Sequence, residues 1–304
     1  MDAKTADTIA WPKKTRDFHN HHIDSTRWDD FPFRDDDVVI ATWGKSGTTW
    51  TQQIVGQLVL DGAEGLMSGL SPWVEMRIFP RDEVMKGLEA QTNRRFLKTH
   101  LPVDSLVFSP KAKYIYVGRD ARDVVWSLFN HHHNFTDEAY KAFNETPGLV
   151  GPRLERPTDD IRQYWHEWLD GDGYPFWSFW ETVRSWWEIR NLPNVMLVHF
   201  DELKADMEGR MRGIAEFLEV DVASADWPKI CEYCTFDWMK EHADETAPGG
   251  GMMFTGGGKS FIFKGENNRW QSVLSPDESA EYETRAIEQL GAECADWLMH
   301  GSVS

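Results

Sequence analysis

The chain has 304 residues, enough for one large domain or two small ones, and 41% of them are apolar, which suffices for a substantial core. It carries 32 Lys+Arg against 50 Asp+Glu, a formal net charge of −18. So acidic a surface argues against nucleic acid or an anionic membrane as a partner, and it makes any local cationic cluster informative. Cys231, Cys234 and Cys294 do not form a disulfide framework. Cys231 and Cys234 have redox or zinc spacing, but no second such pair and no nearby His pair completes a zinc site.

Residues 1–37 form a polar, charged lead-in dotted with aromatics, and MDAKTADTIAWPKK contains no apolar stretch of a signal peptide. Its His19, His21 and His22 are expected to be solvated side chains, not metal ligands. No run of about 18 apolar residues predicts a membrane span, so a soluble, cytoplasmic protein is expected.

Residues 38–50, VVIATWGKSGTTW, organise the rest. An apolar β-branched strand runs into Gly44-Lys45-Ser46-Gly47-Thr48-Thr49, and a helix-compatible run follows from Trp50. At a strand–loop–helix junction, backbone N–H groups and a helix N-terminus converge on one spot that favours an anion. Gly44 and Gly47 remove side chains that would hold a phosphate away, Lys45 adds a charge, and Ser46, Thr48 and Thr49 add hydroxyl donors. The loop is P-loop-like but lacks the G-x-x-x-x-G-K-[ST] order of the nucleoside-triphosphate loop, because its Lys precedes the second Gly.

Residues 61–69 read as a Gly-rich loop. Residues 71–85, with Trp73, Met76, Ile78 and Phe79, supply core or one wall of a pocket. A short strand is predicted over 95–100, stopped at Pro102, with Lys98 and His100 on one face. A second apolar strand, 114–117, ends in Gly118-Arg119-Asp120. The helix after it runs from Ala121 to about His133 and carries Ser127 in its second turn; the triple His131-His132-His133 is expected to be a frayed helix end. Residues 145–157 are a loop, and 159–191 are crowded with Trp and Phe, at helical and mostly core-like spacing over 179–189. Residues 195–200 form a buried strand and 203–218 one helix. Residues 248–260, rich in Gly, are expected to be a mobile lid or linker. The last stretch, 275–300, is one amphipathic helix or two, started by an N-cap at Ser275. Strands alternating with helices predict an α/β fold: one domain over 1–304, with a central, mainly parallel sheet covered by helices on both faces.

Six blocks in order, TWGKSGTTW, FLKTHLP, YIYVGRDARDVVWSLFNH, the run WSFWETVRSWWE to VMLVHFDELKADM, CTFDWMKEHAD and FKGENNRW, make the chain resemble the cytosolic-type sulfotransferases. These use 3′-phosphoadenosine 5′-phosphosulfate as donor. The resemblance covers about residues 34–270. It implies that the loop Lys45, Ser46, Gly47, Thr48, Thr49 holds the 5′-phosphosulfate, with Lys45 stabilising the bridging oxygen and Lys98 neutralising the transferring group. It makes His100 the general base. Arg119 and Ser127 would hold the 3′-phosphate, Lys264 and Gly265 would close over it, and Trp50 and Phe236 would sandwich the adenine.

The chemistry agrees with these roles. Transfer of a compact anionic group between oxygens needs positioning, charge stabilisation and a group to take the acceptor's proton. The implied partner is a small, largely apolar molecule with a hydroxyl, and no metal is implied.

The chain also departs from the family. Phe263 stands where the family has Arg, so that contact is either missing or supplied elsewhere, by Arg269 or Lys259. Asn268-Arg269 replaces Gly-Asp, Phe200 replaces a Tyr, Cys234 replaces a Thr, and Trp43-Gly44 precedes the loop Lys. The family's dimerisation motif is missing, so oligomeric state is open. Two other readings compete. One is a nucleotide-dependent phosphotransferase, for which Asp120 and Asp123 are the only nearby metal-ligand candidates. The other is a nucleotide-binding module without catalysis.

Overall fold

In a computed structural model, which describes residues 9–63 and 67–301, four parallel strands form one sheet in the order β2-β1-β3-β4. They are β1 (Val38–Thr42), β2 (Phe96–Thr99), β3 (Lys113–Gly118) and β4 (Val195–His199). Val39 of β1 pairs with Leu97 of β2 and Tyr114 of β3, and Gly118 of β3 pairs with His199 of β4.

All five β1 residues are buried, because alternate side chains enter cores on opposite faces. Val38, Ile40, Phe96, Ile115 and Val117 pack with Ile54, Val55 and Leu58 of α1 (Thr48–Val59) on one face. Val39, Ala41, Leu97, Tyr114 and Tyr116 pack on the other face with Val124 and Val125 of the helix Ala121–His133 and with Trp186. The strand ends β1 and β2 are tied below the sheet by Arg95 and Asp37, whose side chains are 1% and 0% exposed.

The sequence-predicted elements are present, with five differences. β2 ends at Thr99, so His100 lies one residue past the strand. β4 ends at His199, and Phe200 opens a helix. The single helix predicted for 203–218 is two, Phe200–Ala205 and Met207–Leu218, because the Asp206 side chain accepts from the Gly209 N–H and caps a new start.

The helix Ala121–His133 continues to its last residue instead of fraying. His132 there is buried, donating to or accepting from the Tyr164 hydroxyl at 3.2 Å and meeting the Glu155 carbonyl at 2.9 Å. Residues 248–260 are packed turns, not a bare linker: Pro248–Gly251 and Gly258–Phe261 are helical, and Gly251, Phe254 and Gly258 are buried. Of the Gly-rich stretch 61–69, residues 64–66 lie outside the described residues, and Met67–Leu70 is a helical turn.

At the C-terminal end, Ser275 and Glu278 form a capping box for the helix Pro276–Leu290, and the helix Ala292–His300 follows. Among the described residues no helix is long and apolar enough to cross a membrane.

Candidate active site

The C-terminal ends of β1, β2 and β3 open into one cavity of about 470 Å³. This is the edge of a parallel sheet where ligands of α/β proteins bind. Lys45, Gly47, Thr48, Thr49, Trp50, Lys98, His100, Arg119, Ser127, Phe236, Lys264 and Gly265 all line it. Ser46 does not; it is buried behind the loop, where its N–H donates to the Trp43 carbonyl at 3.3 Å.

The loop between β1 and α1 is built for close approach. Lys45 and Gly47 both take positive φ, 67° and 109°, the left-handed backbone from which anion-binding nests are built. A Cβ at residue 47 would stand 2.8 Å from the Phe200 ring. The Lys45 carbonyl accepts from the Arg119 guanidinium at 3.0 Å, so the loop and the end of β3 are pinned together. Arg119 also donates to Asn267 Oδ1 at 2.5 Å and stacks 4.1 Å over Phe200, while its buried Nε has no partner.

Six cationic residues, Lys45, Lys98, Arg119, Lys204, Lys264 and Arg269, thus line one cavity in an acidic protein. None of Lys45, Lys98 and Arg119 makes an ion pair with a carboxylate among the described residues. Lys45 Nζ lies 3.4 Å from His131 Nδ1 and 4.4 Å from the Phe261 ring, and Lys98 Nζ lies 5.2 Å from the Trp73 ring. Burial, then Arg119 and Lys98, lowers the Lys45 pKa to about 7. Burial lowers that of Lys98 to about 8. The orphaned Arg119 Nε and two under-charged lysines fit an anionic group of more than one charge.

His100 is buried between Trp73, edge-on with centroids 4.6 Å apart, and Trp177 at 5.6 Å. Its Nδ1 meets the Thr42 carbonyl at 2.7 Å and the Thr42 hydroxyl at 3.1 Å. A carbonyl only accepts, so Nδ1 carries the proton and Nε2 keeps a bare lone pair. Burial, then the charges of Lys98 and Lys45, holds the imidazole neutral, with a pKa of about 3 despite the Thr42 bond. Glu75, fully buried, sets its backbone: one carboxylate oxygen accepts from the His100 N–H at 2.7 Å and the Thr99 hydroxyl at 2.9 Å, the other from Trp28 at 2.8 Å.

Reading by residue type alone missed Glu75, His22, His131 and Lys204. Glu75 sits in the stretch 71–85, which reads as apolar. His131 lines the cavity one helical turn after Ser127, a spacing that could have flagged it. Lys204 lines the cavity and donates to the Gly265 carbonyl at 2.8 Å; nothing in its local sequence marks it. His21 and His22, expected in solvent, are 1% and 3% exposed, and His22 lines the cavity.

Of the two replacements for the missing Arg, Arg269 lines the cavity, 5.5 Å over the Phe263 ring, and Lys259 does not. The two candidate magnesium ligands are engaged elsewhere: Asp120 with Arg122 at 2.6 Å and Asp123 with the Asn268 N–H at 2.6 Å.

The model of the sulfotransferase domain family matches residues 35–294. The chain belongs to the sulfotransferase family. Among curated relatives, a protein named glycolipid sulfotransferase from Mycobacterium bovis is 30% identical, over 91% of this chain and 92% of its own. Mouse sulfotransferase 1B1 is 25% identical over 78% and 79%.

Two solved structures share the fold of this sulfotransferase at 22% identity. One is a mouse sulfotransferase, SULT7A1, complexed with PAP, with a TM-score of 0.69 over 90% of this chain and 92% of that one. The other is retinol dehydratase with retinol and PAP, with a TM-score of 0.67 over 87% and 84%. The chain is thus a transferase by family.

Proposed function

We propose that this sulfotransferase moves a sulfuryl group from 3′-phosphoadenosine 5′-phosphosulfate to a hydroxyl of a small, largely apolar acceptor, with His100 as general base. One observation carries the reading. Lys45, Lys98 and the buried Arg119, none ion-paired with a carboxylate among the described residues, share a cavity with an imidazole whose Nδ1 is tied to Thr42, leaving Nε2 free to take a proton.

The donor, when bound, supplies the activated sulfuryl group. Lys45, Gly47, Thr48 and Thr49 would hold its 5′ end. Arg119 and Ser127, with Lys264, Gly265 and Arg269 in place of the absent Arg, would hold its 3′-phosphate. Trp50 and Phe236 would flank its base. The PAP in the two structural neighbours supports this nucleotide class.

His100 takes the hydroxyl proton at Nε2 as oxygen attacks, and the Thr42 carbonyl then stabilises the imidazolium through Nδ1–H. A low resting pKa makes His100 a neutral acceptor at any pH above about 3. As charge develops on the transferring group, Lys98 and Lys45 stabilise it from a site where water is excluded. The aromatic wall of Trp73, Phe135, Phe143, Phe176 and Trp177 suits an apolar acceptor body. The glycolipid sulfotransferase name and the bound retinol of the relatives point to acceptors with apolar bodies.

The test is His100→Ala, assayed on a panel of phenols and alcohols beside calorimetric binding of 3′-phosphoadenosine 5′-phosphate. Turnover falls about 10²–10⁴-fold with nucleotide binding kept. Turnover within about threefold of the parent removes His100 as the base. Nucleotide binding by the parent with no turnover on any acceptor favours a non-catalytic module, and a magnesium requirement favours phosphoryl transfer.

A further inference from the structure

The lead-in that looked like solvated chain places a second imidazole in the cavity, wired as His100 is. His21 Nε2 meets the Pro175 carbonyl at 2.8 Å, so that nitrogen carries the proton and His21 Nδ1 has only a lone pair. His21 Nδ1 in turn contacts His22 Nδ1 closely. His22 must therefore donate from Nδ1, and its Nε2 keeps a bare lone pair. No protein group among the described residues is bonded to that nitrogen, and His22 lines the cavity while being 3% exposed. His22 stacks on Phe143, with centroids 3.8 Å apart, which fixes the ring.

His22 and His100 flank the same two indoles. Trp73 lies 6.1 Å from the His22 ring and 4.6 Å from His100, and Trp177 lies 6.2 Å and 5.6 Å away. A third imidazole, His131, faces Lys45 through Nδ1 at 3.4 Å; with the ammonium as donor, its Nε2 carries the proton. Neutrality of the set follows from burial, which lowers the pKa of His22 and His131 well below the ordinary value. A base for one hydroxyl needs one imidazole. A second lone pair, on His22, is unused by transfer to a mono-alcohol.

We propose that the acceptor carries at least two hydroxyl groups on an apolar frame, one presented to His100 and another donating to Nε2 of His22. This rests on the reading of the cavity as the acceptor site of sulfuryl transfer. A site built to hydrogen-bond a hydroxyl discriminates against the analogue that lacks it, because its own buried polar atom is then left unpaired.

The experiment compares 2-naphthol with the naphthalenediols, with 3′-phosphoadenosine 5′-phosphate present. Binding is read from quenching of the cavity tryptophans, and turnover is measured separately. At least one diol binds about tenfold tighter than 2-naphthol. His22→Phe brings that diol within about twofold of 2-naphthol, and His22→Gln, which can still accept, keeps most of the preference.

The inference is overturned if no diol binds more tightly than 2-naphthol, or if the preference survives His22→Phe. The two readings separate cleanly. A diol preference in binding with no turnover of any acceptor sinks the transfer reading and leaves only the hydroxyl contact to His22. Turnover of all the naphthols with equal affinities does the reverse.

Discussion

Binding of 3′-phosphoadenosine 5′-phosphate should draw protons from solvent, and the amount follows from two side chains. In the empty cavity Lys45 titrates near 7 and Lys98 near 8, against an ordinary value of 10.5. Both are lowered because burial disfavours an ammonium with no counter-charge. A bound anion supplies that counter-charge and restores the charged forms. A group whose pKa rises on binding takes up protons between its two values.

At pH 8 about 0.9 of Lys45 and about half of Lys98 are neutral before binding, so uptake is about 1.4 protons. At pH 7 it is about 0.6, and the affinity falls about tenfold from pH 7 to pH 8. Working above pH 7 keeps the ligand's own phosphates, with a second pKa near ~6, out of the count. The assay is titration calorimetry in phosphate and in Tris, where the difference in observed enthalpy gives the protons exchanged. Lys45→Met should remove at least about half of the uptake at pH 8. An enthalpy that does not depend on buffer at pH 8, below about 0.3 proton, would mean both lysines are charged in the empty cavity, and the burial argument would fail.

Arg269→Ala should weaken 3′-phosphoadenosine 5′-phosphate about tenfold, the size of one charge-assisted contact, while Lys259→Ala changes it by less than about twofold; equal effects in calorimetry would remove Arg269 as the replacement for the missing Arg. The fold itself should be acid-sensitive. His21, His22, His100, His131 and His132 all have lowered folded pKa values, with desolvation by burial the first cause of each. Their contribution is complete above the unfolded value near ~6.5 and is lost as pH falls through that point, because the unfolded chain then binds the extra protons. Urea midpoints should drop steeply from pH 7 to pH 5, with a slope reduced by about one proton in His131→Phe; midpoints flat over that range refute the neutral cluster.

The cationic part of the cavity was legible because it is local. A strand, a Gly-containing loop and a helix are contiguous in 38–59, and Arg119 and Ser127 flank the next strand–helix junction. Lys98 and His100 follow from their place at a strand end.

The His131 and His22 part of the cavity was not legible, because these polar groups are covered by residues distant in sequence. His131 looks like a helix end until Phe254, from a Gly-rich stretch that resembles a linker, and Phe261, just after it, pack against it with centroids 4.8 and 5.7 Å away. His22 looks solvated until Phe143 and Phe176 close over it. Periodicity reports which side of an element is apolar and cannot report what arrives to cover a polar residue. The break at Asp206 has a different cause: capping chemistry overrode a helix-compatible run.

Lys45 is the point where the two parts meet. Its carbonyl is held by Arg119 at 3.0 Å and its ammonium lies 3.4 Å from His131, while its backbone sits at a φ of 67°. One residue with a left-handed backbone therefore links the Arg119 guanidinium to the His131 imidazole. An anion that draws Lys45 Nζ away leaves His131 Nδ1 without its donor, and that nitrogen then turns to whatever the acceptor offers. Donor occupancy should for that reason change how the aromatic cavity receives a hydroxyl. The acceptor's affinity, measured with and without 3′-phosphoadenosine 5′-phosphate, reports the coupling, and the same factor must appear in the nucleotide's affinity with and without acceptor.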